Sequence, residues 1–264
     1  MLSYRHLFHA GNPADVFKHA VEVLIIDYLQ QKSKPFLYLD THASCGLYDL
    51  TSSMAQKNNE YLGGIVKIYN DPSLPVELSR YISCVKSFNK DSKITTYPGS
   101  VVIAEQMLRS CDRGLCFELH PADFNQLQYN LSARNFYAHK QDGFLGLKAS
   151  LPPREARALI LIDPSYEVKT EYNELITALK MAYKKFSHGV YMVWYPVLDL
   201  KENIAFRAEL KKLPFEKTMQ VELPFSPLKK SHFLKGSGLF IINPPYILED
   251  QVSVILAYLK EKFL

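Results

Sequence analysis

Asp163-Pro164-Ser165-Tyr166 is the stretch whose residue types come closest to spelling out a reaction. A carboxylate followed by a proline-stiffened turn presents two acceptors in fixed relation: the Asp163 side chain and the Pro164 carbonyl. Such a pair can accept both hydrogens of an exocyclic amino group on a heterocyclic base. The lone pair of that nitrogen is delocalised into the ring, so it is a poor nucleophile. Holding both hydrogens turns it toward an electrophilic carbon and stabilises the positive charge it gains. Tyr166 adds a face on which an extruded base can stack, a contact worth ~1–3 kcal/mol. Asp-Pro is also a frequent turn opener, and in isolation an ordinary capped turn describes the stretch equally well. Its place after the apolar run Leu159-Ile160-Leu161-Ile162 favours chemistry.

Three more acids end short apolar runs: Asp40, Glu118 and Asp142. One acid at a strand end is commonly a helix cap. Four in succession describe a nucleotide-like cofactor, because ligands of open parallel sheets bind beyond the carboxyl ends of the strands. A carboxylate after the second strand suits two ribose hydroxyls, and one after the third suits an adenine amino group. The small-residue loop Thr41-His42-Ala43-Ser44-Cys45-Gly46 lets a cofactor approach the backbone. A nicotinamide dehydrogenase requires G-x-G-x-x-G there. The loop has one glycine, so the pattern favours S-adenosylmethionine. A tetrapeptide of similar type, Asn243-Pro244-Pro245-Tyr246, follows the last strand. The order of elements sets it aside as structural, or as lining the substrate side.

These residues need a frame. Asn12-Pro13 opens a helix that runs to about Gln31. Strands are expected at Pro35–Asp40, Gly114–Leu119, Phe136–Lys140, Ala158–Ile162, Gly189–Tyr195, Phe215–Leu223 and Gly238–Asn243, with helices between most of them. Strand–helix alternation predicts an α/β chain with a mainly parallel sheet and right-handed crossovers. The stretch Thr41–Arg113 is far longer than a crossover needs. Helical patterns within it predict a small helical insertion after the first core strand, at residues 47–97. Residues 1–46 and 98–264 then form the main domain.

With 264 residues, 47% hydrophobic and 22% charged, the chain can bury its own core, which excludes disordered, collagen-like and disulfide-scaffold classes. A net charge of +4 permits an anionic partner without demanding one. Cys45, Cys84, Cys111 and Cys116 form no C-x-x-C pair and read as reduced thiols. His6, His9 and His19 lack the companions that a metal site needs, so no metal is expected. No apolar stretch approaches a membrane span, and no signal peptide opens the chain. A soluble, cytoplasmic, monomeric protein is expected.

Asp163–Tyr166 resembles the (Asp/Asn)-Pro-Pro-(Tyr/Phe) motif of methyltransferases acting on base amino groups, with Ser165 in place of the second proline. The whole chain resembles the bacterial ribosomal RNA large subunit methyltransferase J family. The resemblance rests on Met1-Leu2-Ser3-Tyr4-Arg5-His6, Phe8–Asn12, Leu39-Asp40-Thr41-His42-Ala43, Tyr97-Pro98-Gly99-Ser100, Glu118–Pro121, Asp142-Gly143-Phe144 and Trp194-Tyr195-Pro196. Ser44 stands where that family usually has Gly, and Pro13 where it usually has His. The resemblance implies a Rossmann-like class I methyltransferase fold with a helical insertion. It also implies S-adenosylmethionine-dependent methylation of the exocyclic amino group of one adenine in 23S ribosomal RNA. His19, His42, Ser100, Glu118, Asp142, Gly143 and Asp163 are then cofactor-binding positions, Asp163 is the catalytic residue, and Tyr4 and Tyr166 meet the RNA. The alternatives are a DNA adenine methyltransferase sharing Asp163–Tyr166, and a non-catalytic module that binds cofactor and RNA. Of the basic pairs, Lys229-Lys230 with Lys235 is the favoured RNA-contacting loop.

Overall fold

A computed structural model describes residues 5–90, 92–168, 170–226 and 234–264. A single 3-10 turn, His6–Phe8, leads into helix α1 (Pro13–Gln30). Asn12 caps α1 by accepting the Asp15 N–H at 2.9 Å, and Pro13 occupies the first helical position. From Pro13 to Ile26 every residue of α1 is buried. Its polar residues Asp15, Lys18, His19 and Glu22 must therefore find partners inside the protein.

The main sheet contains β1 (Leu37–Asp40), β4 (Arg113–Phe117), β5 (Phe136–His139), β6 (Ala158–Ile162), β7 (Val190–Val197), β8 (Thr218–Pro224) and β9 (Gly236–Ile242). Its order is β5-β4-β1-β6-β7-β9-β8. The β5-β4-β1-β6-β7 pairs are parallel, and β9 runs antiparallel between β7 and β8. This is the Rossmann-like class I methyltransferase topology. Both faces are covered, and side chains alternate between two cores. On β6, Leu159 and Leu161 join the cluster containing α1, while Ala158, Ile160 and Ile162 join the other. Helices α6 (Ser100–Met107), α7 (Pro121–Asn130) and α11 (Leu248–Phe263) share the α1 side. Helices α8 (Gly143–Ser150), α9 (Glu171–Lys185) and α10 (Lys201–Leu210) cover the opposite side.

Between β1 and α6 lie β2 (Leu47–Asp49), α2 (Ser53–Asn58), α3 (Glu60–Gly63), α4 (Ile65–Ile68), α5 (Val76–Lys86) and β3 (Thr96–Pro98). The segment is not purely helical. Leu47 pairs with Pro98 and Asp49 with Thr96, so a small antiparallel ladder closes its base. Its Ile65, Ile68, Tyr81, Ile82 and Val85 share one apolar cluster with α1. No helix among the described residues is long and apolar enough to cross a membrane.

Candidate active site

The carboxyl ends of β1, β4 and β6 open onto one cleft enclosing about 990 Å³ out to its mouth. His19, His42, Ser100, Glu118, Asp142, Gly143 and Asp163 all border it, although they come from six different segments of the chain. Strand direction and register explain this. β1, β4 and β6 are adjacent and parallel, so whatever follows each of them emerges on the same edge.

The loop after β1 is held by backbone hydrogen bonds. Thr41 N–H donates to the Leu161 carbonyl at 3.1 Å, and Ala43 N–H to that of Phe117 at 2.9 Å. Glu118 ties this loop to the next. Its two oxygens accept the N–H groups of Ser44 (2.7 Å) and His120 (2.6 Å), leaving further lone pairs facing the cleft. Ser44 adopts φ 51°, a left-handed conformation that favours glycine. Also bordering the cleft, Asp142 caps α8 by accepting the Leu145 N–H at 2.9 Å. The following residue has no room for a side chain, because a Cβ on Gly143 would sit 1.9 Å from the Thr41 carbonyl oxygen.

Beneath the cleft is a layer of buried titratable groups. Burial pushes Asp40 up to about 6, against the Ser100 hydroxyl (2.6 Å) and the His42 N–H (3.0 Å) that it accepts. Burial pushes His42 down to about 4 and His19 well below the usual imidazole range, so both rings are neutral near pH 7. His19 Nδ1 shares a hydrogen bond with the Tyr97 hydroxyl at 2.8 Å, and Tyr97 with Tyr81 at 2.9 Å. Burial also raises Glu118 and, more strongly, Glu22, which accepts the Tyr38 hydroxyl at 2.7 Å.

Asp163 stands at the end of β6 against Lys18, whose ammonium donates to Asp163 Oδ2 at 2.5 Å and lies 3.0 Å from Asp15 Oδ1. Burial disfavours the Lys18 charge, but the two carboxylates outweigh that penalty and hold its pKa above the ordinary lysine value. Asp15 also accepts from His6 Nε2 at 2.9 Å and from the Gly11 N–H at 3.0 Å. Sequence reasoning missed Asp15, Lys18 and His6 as site residues. The signal was present: positions 15, 18, 19 and 22 are the polar residues of the otherwise apolar stretch Pro13–Ile26 and lie at i, i+3, i+4 and i+7, one face.

A second cavity adjoins the first. Asp163, Lys18, Ser165 and His6 border both, while Asn12, Tyr166, Trp194 and Pro196 border only the second. Tyr166 adopts φ 56° and donates its hydroxyl to the Trp194 carbonyl at 2.5 Å. Its ring packs among Tyr172 (5.0 Å), Trp194 (5.9 Å) and Phe206 (6.1 Å).

The competing motif lies elsewhere. β9 is antiparallel to β7, with Ile242 opposite Tyr191, so Asn243 emerges at the amino ends of the parallel strands. Its side chain donates to the carbonyls of Ser187 and Gly189, both at 2.8 Å. Asn243–Tyr246 is structural, and its alternative reading as a lining of the substrate side is overturned. Tyr4, Lys229 and Lys230 lie outside the described residues. Lys235 forms an ion pair with Asp199.

Residues 33–264 match the family described as Ribosomal RNA large subunit methyltransferase D, RlmJ. The chain is 45% identical over 266 residues to Ribosomal RNA large subunit methyltransferase J of Escherichia coli (strain K12), covering 99% of this chain and 94% of that protein. It is 42% identical over 261 residues to the enzyme of the same name from Haemophilus influenzae, covering 98% and 93%. A crystal structure of a Legionella pneumophila protein superimposes with a TM-score of 0.90 at 41% identity, over 97% of this chain and 94% of that one. With Glu118, Asp142 and Asp163 gathered at one cleft and relatives matched nearly end to end, the chain belongs to the ribosomal RNA large subunit methyltransferase J family of S-adenosylmethionine-dependent enzymes.

Proposed function

We propose that this protein transfers a methyl group from S-adenosylmethionine to the exocyclic amino group of a specific adenine in 23S ribosomal RNA. The observation that carries the reading is the position of Asp163, which borders both cavities at once. The first cavity suits the cofactor. Its carboxylates Glu118 and Asp142 can accept from ribose hydroxyls and an adenine amino group, and the glycine at 143 lets α8 close on the Thr41 loop. His19, His42 and Ser100 would complete that wall, and Asp163 would hold the end of it that adjoins the second cavity. The cofactor supplies an electrophilic methyl group.

On the acceptor side, Lys18 takes Oδ2 of Asp163. Oδ1 and the Pro164 carbonyl would then accept the two hydrogens of the target amine and orient its lone pair; as the N–C bond forms, the donor's S–C bond would break to leave a thioether, and one N–H proton would pass to solvent. Tyr166, held by Trp194, offers its ring to the base, and Tyr4 is a further residue that meets the RNA. An adenine stacked in an A-form helix cannot reach this depth, so the target is unpaired or flipped. The protein acts as a cytoplasmic monomer, with residues 47–97 as an inserted subdomain.

The test is incubation with labelled cofactor and ribosomal RNA from cells lacking the protein, followed by nucleoside analysis. Labelled N6-methyladenosine in 23S RNA is expected, with none in duplex DNA assayed in parallel. Asp163→Ala should abolish transfer and leave cofactor binding measurable. Normal turnover by that variant refutes the assignment.

A further inference from the structure

Glu60 is the first residue of α3, inside the 47–97 segment, yet its side chain is buried against the start of the chain. Its two carboxylate oxygens each lie 3.0 Å from His9 Nδ1, and Oε2 also accepts the Asn12 side-chain N–H at 3.0 Å. The backbone is arranged to deliver this contact. Asn59 adopts φ 54°, ending α2 and opening α3 in a left-handed conformation. A few residues on, Ile65 N–H donates to the Gly11 carbonyl at 2.9 Å. Gly64 packs so closely there that a Cβ would stand 2.2 Å from the same oxygen.

The groups Glu60 grips lead to the acceptor site through direct contacts. Asn12, 4% exposed, gives one end of its amide to Glu60 and the other, as acceptor, to the Asp15 N–H. Asp15 accepts from His6 and stands 3.0 Å from Lys18, which donates to Asp163. Asn12, His9, Asp15, Lys18 and Asp163 all border the second cavity. An asparagine amide has two orientations, and only the one with its N–H toward Glu60 leaves Oδ1 free to cap α1.

We propose that Glu60 is a positioning residue of the acceptor site, through which the 47–97 segment sets the geometry of Asp15, Lys18 and Asp163. The inference rests on the methyl-transfer reading above. Glu60 touches neither cavity. It acts by fixing the Asn12 amide and the His9 turn, and so the first turn of α1. A displacement of about 1 Å at a reacting group is enough to cost about a hundredfold in rate.

The experiment compares wild type with Glu60→Ala, the bulkier Glu60→Met and the acceptor-retaining Glu60→Gln, using full-length protein, 23S RNA and labelled cofactor. Expected are a fall in kcat of about tenfold or more in the Ala and Met variants, a cofactor Kd within about twofold of wild type, and recovery of at least about half the rate in Glu60→Gln. The double variant Glu60→Ala/Asn12→Ala should lose little more than Asn12→Ala alone, since the two act in series. Wild-type kcat in a folded Glu60→Ala or Glu60→Met protein overturns the proposal. So does a parallel loss of kcat, cofactor affinity and melting temperature that Glu60→Gln does not repair. Truncations too unstable to purify, beside an active Glu60→Gln enzyme, would make Glu60 a structural staple and equally overturn it. Absence of transfer by the wild type would instead refute the functional reading.

Discussion

Gly143→Ala is the substitution for which the structure gives the clearest number. The added Cβ would lie 1.9 Å from the Thr41 carbonyl oxygen and 2.8 Å from its carbon, where ordinary contact begins near 3.4 Å. The amino end of α8 and the Thr41 loop must therefore separate by about 1.5 Å at that point. Neither side yields cheaply. Thr41 is tied to Leu161 by its N–H, and Asp142 is committed to capping α8. Overpacking of this kind costs about 1–3 kcal/mol of stability. The functional cost is separate. Asp142 and the Thr41 loop both border the cleft proposed to hold the cofactor, and moving one breaks a charged hydrogen bond worth ~1.5–3 kcal/mol. At 1.4 kcal/mol per factor of ten, the cofactor Kd should rise roughly 10- to 100-fold. Titration calorimetry on folded protein measures it. Gly189→Ala is the control. Its Cβ meets the Phe186 ring at 2.6 Å at the far edge of the sheet, so it should lose stability at unchanged cofactor Kd. A folded Gly143→Ala protein with wild-type cofactor affinity would refute the argument that α8 and the Thr41 loop form the binding wall.

Asp40 gives a pH prediction. Its carboxyl is displaced upward by burial, from 3.8 to about 6. Its contribution to stability is thus fully present below about pH 4 and is lost as pH rises through about 6. The displacement corresponds to as much as about 3 kcal/mol. Because His42 titrates in the same window in the opposite sense, the variant difference is the quantity to read. The unfolding free energy of Asp40→Asn minus that of wild type should climb between pH 4 and 6 and then level off. A flat difference from pH 4 to 8 would contradict it. Ser44→Gly should raise the melting temperature, because the left-handed φ of 51° strains serine by about 1–2 kcal/mol, less the ~0.4–1 kcal/mol entropic cost of glycine. Tyr97→Phe strands both His19 and Tyr81 in the core and should cost ~1–3 kcal/mol in chemical denaturation.

The sheet was legible because its central strands are short, apolar and separated by helical patterns. Ala158–Ile162 coincides with its predicted limits, and β1 differs only at its start. The gathering of the candidate cofactor residues at one cleft was legible for a related reason: in a parallel sheet, strand order alone brings the residues after β1, β4 and β6 to one edge. Pairings set by contacts distant in sequence were not legible. The β2–β3 ladder joins residues 47–49 to 96–98, each run too short for an alternation to register. The place of β9 between β7 and β8 likewise leaves no local mark. The Lys18–Asp163 contact spans 145 residues, and Glu60 meets His9 and Asn12 across a segment boundary that sequence reading treated as a division.

The two Pro-containing tetrapeptides show why position outweighs spelling. Asn243-Pro244-Pro245-Tyr246 matches the amino-methylating motif better, residue for residue, than Asp163-Pro164-Ser165-Tyr166. Both follow buried strands, and both begin at a residue bordering a turn. Their chemistry is decided by strand direction. β6 runs parallel to β1, so Asp163 emerges where Asp40 and Glu118 do, with Lys18 waiting on α1. β9 runs the other way, so Asn243 emerges among loop carbonyls and spends both side-chain hydrogens on Ser187 and Gly189. An amide donor pointed at carbonyls locks a turn, whereas a carboxylate beside an open cavity has an acceptor left to offer. Exchanging the residues tests this directly. Asn243→Asp places a charge against two carbonyl oxygens and removes both donors, so it should destabilise the fold by about 1–3 kcal/mol without impairing the chemistry of the folded fraction. Asp163→Asn should lose transfer per folded molecule, because one acceptor becomes a donor, and it should also lose some stability, because only Asp15 is left to balance the buried Lys18 ammonium. Loss of transfer per folded molecule in Asn243→Asp, with stability unchanged, would reverse the assignment of the two sites.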